Sequence, residues 1–318
     1  MKVNLIFPGQ GSQYVGMFNS FSNDEFQNTF DQADNALGFS IKNLCLEGPE
    51  EQLKLTAYTQ PAIVTHSVAT FRVLNKILDS KKIEINSVLG HSVGEYSALV
   101  AAGSLEFKDA VKAVNQRGTF MQEATPSGVG KMYAVLRVPS DIIEKACKEV
   151  STEDCKAMPA NYNEPGQTVI SGHAKACDDA IEWLKVNYEG KQMAIPLKVS
   201  APFHSSLMEP AAQKMKDFLE TISVKENSID YVANIDATKK SNLNADKIKD
   251  NLIKQVCGSV LWAQSLSTFP DDSIFIEVGP GKVLTGLNKK INKNFKTFTM
   301  DQEDSIEKLE IFLNECKL

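Results

Sequence analysis

Gly90-His91-Ser92-Val93-Gly94 is a G-x-S-x-G run, and its flanks suit the chemistry such a run can do. Ser87-Val88-Leu89 reads as a short buried strand, and Glu95 to Ala102 reads as a helix stopped by Gly103. A serine at the tip of a sharp strand-to-helix turn can take an acyl group as an ester. The helix N-terminus beside it favours developing negative charge. A serine hydroxyl needs a base to react near neutral pH. The chain has four histidines: His66, His91, His173 and His204. His66 falls in an apolar helical pattern and is expected to be packed and hydrogen-bonded. His173 opens a helix, where a cap-like or exposed place is expected. His91 adjoins Ser92 on a sharp turn, so it points another way and is expected to line the pocket. His204 lies in the loop Val199 to Ser206, and loops at strand ends carry catalytic histidines in α/β folds. His204 is therefore the expected base.

A hydrolase triad would place an acid between serine and histidine in chain order. The acids of that interval, such as Asp141, Asp154, Asp178 and Asp179, fall on segments that read as exposed, and none is a convincing third member. A backbone carbonyl could orient the imidazole instead, because its other ring N–H needs only an acceptor. Arg117 lies roughly 70° from the centre of the apolar stripe of an amphipathic helix over 107–121. That place fits either an internal salt bridge or a fork for a substrate carboxylate, which guanidinium pairs bidentately. Gly9-Gln10-Gly11-Ser12-Gln13 follows the first strand, but Tyr14 stands where a dinucleotide loop needs its third glycine. An oxyanion loop is the better use, with the main-chain N–H groups of Gln10 and Val93 as donors. Gly279-Pro280-Gly281-Lys282 lacks the Walker spacing and reads as a turn into a helix.

These residues need a frame. Val3 to Phe7 reads as a strand, Gln60 to Leu78 as a helix, and the elbow strand and helix follow, a pattern that predicts a mostly parallel sheet with helices on both faces. The middle of the chain differs. A strand over 131–138 is followed by a helix from Ser140, its expected N-cap, to about Val150. Extended segments over 157–161 and 167–171, a helix over 173–187 and a strand over 191–197 complete it. The order β-α-β-β-α-β is that of a ferredoxin-like unit. The expected fold class is α/β: a hydrolase-like parallel-sheet core with an inserted ferredoxin-like α+β small domain. The expected bounds are 1–128 and 198–318 for a discontinuous catalytic domain and 129–197 for the small one. Near the end, Ile274 to Val278 reads as a strand and Leu284 onward as a helix.

The 318 residues carry a formal net charge of −6, which argues against general nucleic-acid binding. The six cysteines are scattered, with no C-x-x-C pair, as expected of free thiols in a reducing compartment. Val3 to Phe7 is too short for a signal-peptide apolar region, and no run of about 18 apolar residues occurs. A cytoplasmic monomer with no membrane span, metal or cofactor is expected.

The motifs taken together resemble the malonyl-CoA:acyl carrier protein transacylases, the acyltransferases of type II fatty acid synthesis. In chain order they are Phe7 to Gln13, Gly90 to Tyr96, Gln116-Arg117-Gly118 with Met121-Gln122, Asn161 to Gly172, Pro202-Phe203-His204-Ser205, Gln255 with Trp262, and Glu277 to Gly281. The resemblance covers almost the whole chain. It implies malonyl-CoA and acyl carrier protein as partners. Ser92 would take the malonyl group, with His204 as base and Arg117 on the malonyl carboxylate. Gln10 and Val93 would hold the oxyanion, and the Gln255 carbonyl would orient the histidine. His91 would line the pocket. Phe203 looks like the malonyl-type form, its ring crowding a branched 2-methyl substituent. Val93 stands where leucine is common, which leaves the N–H in place. An acidic carrier protein calls for a local basic patch, to which Lys191, Lys198, Lys282, Lys289 and Lys290 could contribute. A freestanding polyketide-type acyltransferase is poorly discriminated by sequence. A serine hydrolase of the patatin-like kind would need an aspartate usually followed by glycine, and the chain has no Asp-Gly dipeptide.

Overall fold

The computed structural model describes residues 1–316. Its strands, in chain order, are β1 (Lys2–Phe7), β2 (Glu84–Gly90), β3 (Gly130–Leu136), β4 (Ala157–Glu164), β5 (Gln167–His173), β6 (Met193–Pro196), β7 (Asp230–Val232), β8 (Lys239–Lys240), β9 (Ile274–Val278) and β10 (Lys296–Met300). They form two sheets. The larger has the order β10-β9-β1-β2-β7-β8. All its pairs are parallel except that between β7 and β8. Val3, Leu5, Ile6 and Phe7 of β1 are buried on both faces, as the near-continuous apolar run requires of a strand covered by helices on each side.

Register positions the site. Phe7 at the end of β1 lies opposite Gly90 at the end of β2, and Leu89 lies opposite Val232 at the end of β7. The segments leaving these three strands therefore emerge side by side at the carboxyl edge of the sheet, where open α/β sheets hold their ligands. The loop after β1 packs tightly on the elbow. A Cβ on Gly94 would stand 2.2 Å from the Phe7 carbonyl oxygen, so only glycine lets these two backbones meet. Above them the helix Phe107–Glu123 lies along the long helix Thr56–Ser80, and Gly118 touches the backbone of Thr56.

The smaller sheet has the order β4-β5-β3-β6, with every pair antiparallel. The helices Ser140–Val150 and Ala174–Asn187 pack on it around Val135, Ile143, Ile170, Ala180 and Leu184. This is the β-α-β-β-α-β order expected from the sequence. β4 is also stitched to the large-sheet side: the Tyr162 N–H donates to the Val260 carbonyl at 2.9 Å, and the Val260 N–H donates to the Ala160 carbonyl at 2.8 Å. Two local expectations change. Ser140 is the first helical residue, not the cap; Pro139 takes the cap position in an extended conformation, without a side-chain bond. The last strand is shorter than expected, because it pairs only with Tyr133 to Leu136.

Candidate active site

Ser92 sits at the elbow with φ +50°, in the left-handed region. Such a conformation costs on the order of 1–3 kcal/mol for a non-glycine residue and persists only where surrounding bonds fix it. Asn234, two residues beyond β7, supplies them. Its Oδ1 accepts from the Ser92 N–H at 2.8 Å, and its Nδ2 donates to the Gly90 carbonyl at 2.6 Å. The turn is thus clamped from the neighbouring strand, with the serine hydroxyl held outward.

His204 Nε2 lies 2.7 Å from Ser92 Oγ. His204 Nδ1 lies 2.8 Å from the Gln255 carbonyl oxygen and 3.0 Å from that of Gly258. Carbonyl oxygens only accept, so Nδ1 carries the proton and Nε2 presents its lone pair to the serine hydroxyl. No carboxylate is needed for that tautomer, in line with the failure to find a triad acid in the sequence. Burial and then the Arg117 charge lower the His204 pKa to about 3, so the ring stays neutral and able to accept a proton.

Arg117 is 1 % exposed. Its Nη1 donates to Gln60 Oε1 at 2.9 Å, and its Nη2 donates to Gln255 Oε1 at 2.8 Å and lies 3.3 Å from Ser92 Oγ. Among the described residues no carboxylate stands within ion-pair distance of it, which removes the internal salt bridge. The guanidinium Nε is buried without a partner. A cationic fork beside the serine, satisfied only by neutral amides, is suited to an anionic group brought by a ligand.

Ser92, His204 and Arg117 border a cavity of about 120 Å³, lined also by Met121, Met132, Leu197, Val199 and Phe203. Gln10, His91 and Val93 also line it. Among the described residues, neither the Gln10 N–H nor the Val93 N–H is spent on a protein acceptor. His91 turns away from the serine, as expected, and its Nε2 lies 2.9 Å from Asn163 Oδ1 on β4; desolvation lowers its pKa. His66 is fully buried against Ser20 and Thr70, and His173 stands at the N-cap position of the helix Ala174–Asn187 without a side-chain capping bond, its Nδ1 accepting from the Lys156 N–H at 3.0 Å. Both are far from the chemistry in role, as read from the sequence. All five candidate lysines of the basic patch are exposed; Lys290 stands 3.5 Å from Glu164.

Four site residues escaped the sequence reading: Gln60, Glu95, Tyr231 and Asn234. Glu95 is fully buried directly after the elbow. It accepts from the Tyr231 hydroxyl, from Gln255 Nε2 at 2.6 Å and from the Asn234 N–H at 3.2 Å. Burial raises its pKa to about 7 against the pull of those donors and of Arg117. A lone acid opening an otherwise uncharged helix was a usable signal; Asn234 and Gln60 carried none. The Gln255 side chain was also missed, since only its carbonyl was anticipated. Among the described residues, no cluster of three or more His, Cys, Asp or Glu side chains could hold a metal ion, and no helix is long and apolar enough to cross a membrane.

A clamped serine, a neutral histidine on its hydroxyl and a buried cation with no carboxylate partner among the described residues, on an α/β core, could do the chemistry of a serine acyl enzyme on a charged acyl group. Residues 5–306 match the family model for the acyl transferase domain, and the chain belongs to that family. Its relatives narrow the class. It is 43% identical to the malonyl CoA-acyl carrier protein transacylase of Bacillus subtilis (strain 168), over 96% of this chain and 95% of that protein. It is also 43% identical to the transacylase of that name from Escherichia coli (strain K12), over 90% of this chain and 92% of that one. Among solved structures, an acyl carrier protein S-malonyltransferase from Vibrio cholerae superposes with a TM-score of 0.90 at 37% identity, covering 97% of this chain and 100% of that one. A malonyl-transacylase in complex with a type II PKS acyl-carrier protein matches equally well, with a TM-score of 0.90 at 36% identity over 98% of this chain and 100% of that one.

Proposed function

We propose that this protein moves the malonyl group of malonyl-CoA to the phosphopantetheine thiol of acyl carrier protein, through a malonyl ester on Ser92, supplying fatty acid chain elongation. The observation that carries the reading is the Arg117 guanidinium, buried, with no carboxylate partner among the described residues and 3.3 Å from Ser92 Oγ. It gives the malonyl carboxylate a seat that leaves the thioester carbonyl over the serine.

The chemistry follows from the geometry. The malonyl carboxylate pairs with Arg117 and offsets its charge, which adds to burial in depressing His204, so part of that depression is relieved when the acyl group is seated. His204 Nε2 takes the proton of Ser92 Oγ as the oxygen attacks the thioester carbon. The tetrahedral oxyanion forms against the free N–H groups of Gln10 and Val93. Collapse expels coenzyme A as its thiol, which takes its proton from His204. The carrier thiol then gives its proton to His204 and attacks the serine ester, and His204 passes that proton to Ser92 Oγ as the ester bond breaks. His91 and Phe203 shape the acyl end of the pocket, and Gln255 orients His204 through its carbonyl. The division into a discontinuous catalytic domain (1–128 and 198–318) and a small domain (129–197), and a cytoplasmic place for the enzyme, belong to the same reading. The separate apolar core of the four-stranded unit supports the division.

The test is mass analysis of the intact protein after malonyl-CoA, followed by peptide mapping. One malonyl adduct on Ser92, lost in Ser92→Ala, is the expected result. An adduct elsewhere, or none, overturns the reading.

A further inference from the structure

Ser92, His204 and Arg117 leave one buried charge of the site without a task. Glu95 is fully enclosed, and every donor it meets belongs to the machinery around the serine. The side-chain amide of Gln255 is the link. Its Nε2 donates to Glu95 Oε2 at 2.6 Å and to the Ser92 carbonyl at 2.8 Å, while its Oε1 accepts from Arg117 Nη2 at 2.8 Å. An amide can be turned end for end, and here the turned form would aim an NH₂ group at the guanidinium. Arginine only donates, and an ionised carboxylate only accepts. The guanidinium on one end, and Glu95 with the Ser92 carbonyl on the other, therefore fix which way the amide faces, and the amide fixes one arm of the guanidinium.

We infer that Glu95 is a positioning residue for substrate selection: through the Gln255 amide it holds the Arg117 fork in the orientation that receives the malonyl carboxylate. The inference rests on the malonyl reading above and deepens it. Electrostatics act in the same direction. Above its pKa of about 7, Glu95 stands behind Gln255 as a buried countercharge to Arg117, at one remove, so the guanidinium is balanced without being occupied by direct pairing. A carboxylate in direct contact would occupy the fork and compete with the substrate. A carboxylate one amide away orients the fork and leaves it open. Gln60 Oε1, at 2.9 Å from Nη1, steadies the other arm.

A glutamine at position 95 keeps the size of the side chain but brings its own NH₂ group. That group can be received only by the Tyr231 hydroxyl, and the charge-assisted bond that anchors Gln255 is lost, so the amide is held less firmly and Arg117 with it. The measurement is the rate of Ser92 acylation by malonyl-CoA and by acetyl-CoA, read by intact mass, in wild type, Glu95→Gln, Arg117→Ala and the double variant. Wild type prefers malonyl. Glu95→Gln is expected to reduce the malonyl-to-acetyl ratio at least tenfold, mainly through a raised KM for malonyl-CoA. In the Arg117→Ala background the same change is expected to leave the ratio where Arg117→Ala puts it. Gln255→Leu provides a second route if Glu95→Gln fails to fold. It leaves Glu95 bonded to Tyr231 and Asn234, keeps the backbone carbonyl on His204, and is expected to lower the ratio to a similar degree. An equal fall of malonyl and acetyl loading in both variants, or an undiminished Glu95→Gln effect without Arg117, would overturn the inference. A wild-type enzyme that does not prefer malonyl would instead overturn the malonyl reading on which it stands.

Discussion

At the scale of single residues, function rests on which atoms are left free. His204 has its Nδ1 proton committed to the Gln255 and Gly258 carbonyls, so its Nε2 lone pair faces Ser92. Its pKa is lowered to about 3, below the ordinary 6.5, so the neutral form persists as pH falls through the range where an exposed histidine protonates. The rate at which a neutral serine-directed sulfonyl fluoride inactivates the enzyme is therefore expected to hold through pH 6.5 and on down to pH 6, with its acid limb lower still. An inflection at 6.5 would mean an ordinary histidine. Arg117 is the second such residue. Arg117→Ala is expected to cost malonyl loading about ten- to a hundredfold while acetyl loading changes much less, on the basis that a charge-assisted pair contributes roughly 1.5–3 kcal/mol. Unchanged selectivity in that variant would leave Arg117 a purely structural group.

At the scale of elements, the site is a product of register and close backbone contact. The helix bearing Arg117 reaches the serine because Gly118 lies against Thr56, where a Cβ would stand 2.5 Å from the carbonyl oxygen. Gly118→Ala must push the two helices apart, which costs about 1–3 kcal/mol as overpacking and moves the guanidinium with it. A lowered melting temperature together with reduced malonyl preference is expected; a lowered melting temperature alone would place the glycine in packing only. Much of this level was legible in the chain. The elbow declared its strand and helix through the glycines at 90 and 94. The inserted unit showed its order through alternating apolar segments. Arg117 stood out as a charge beside an apolar stripe. Less was visible where function depends on segments meeting through the fold. Asn234 follows a strand of three residues, too short to show a period, and it reaches the serine only because β7 pairs with β2. Gln60 is a polar residue on a long apolar helix, and nothing local tells that it meets Arg117. β8 and β10 were likewise missed, one being two residues long and the other half-exposed at a sheet edge.

At the scale of the whole molecule, buried ionisable groups make stability depend on pH in two opposing ways. His66, like His204, has its pKa lowered to about 3 by burial. The unfolded chain takes up these protons below 6.5 and the folded chain does not, so this part of the stability is lost as pH falls from 6.5 toward 3. Glu95 and Glu277 are raised by burial to about 7, above the ordinary 4.5. The folded chain binds their protons first, so their contribution improves as pH falls from 7 to 4.5. His66 is fully buried and bonds Ser20 and Thr70, away from the Ser92–His204 pair, so His66→Gln probes the first effect. The decline of melting temperature from pH 6.5 to 5 is expected to be shallower in that variant than in wild type. Parallel declines would show that His66 does not supply the difference.

The central claim is that Ser92 holds a malonyl group for a thiol and not for water. The direct measurement is a single-turnover transfer. Malonyl-labelled enzyme, freed of coenzyme A, is divided between buffer and buffer with holo acyl carrier protein, and the label is followed by mass. The account predicts that the ester persists in buffer and passes to the carrier thiol at least a hundred times faster than it hydrolyses. Loss of the malonyl group to water at the same rate in both samples would contradict it.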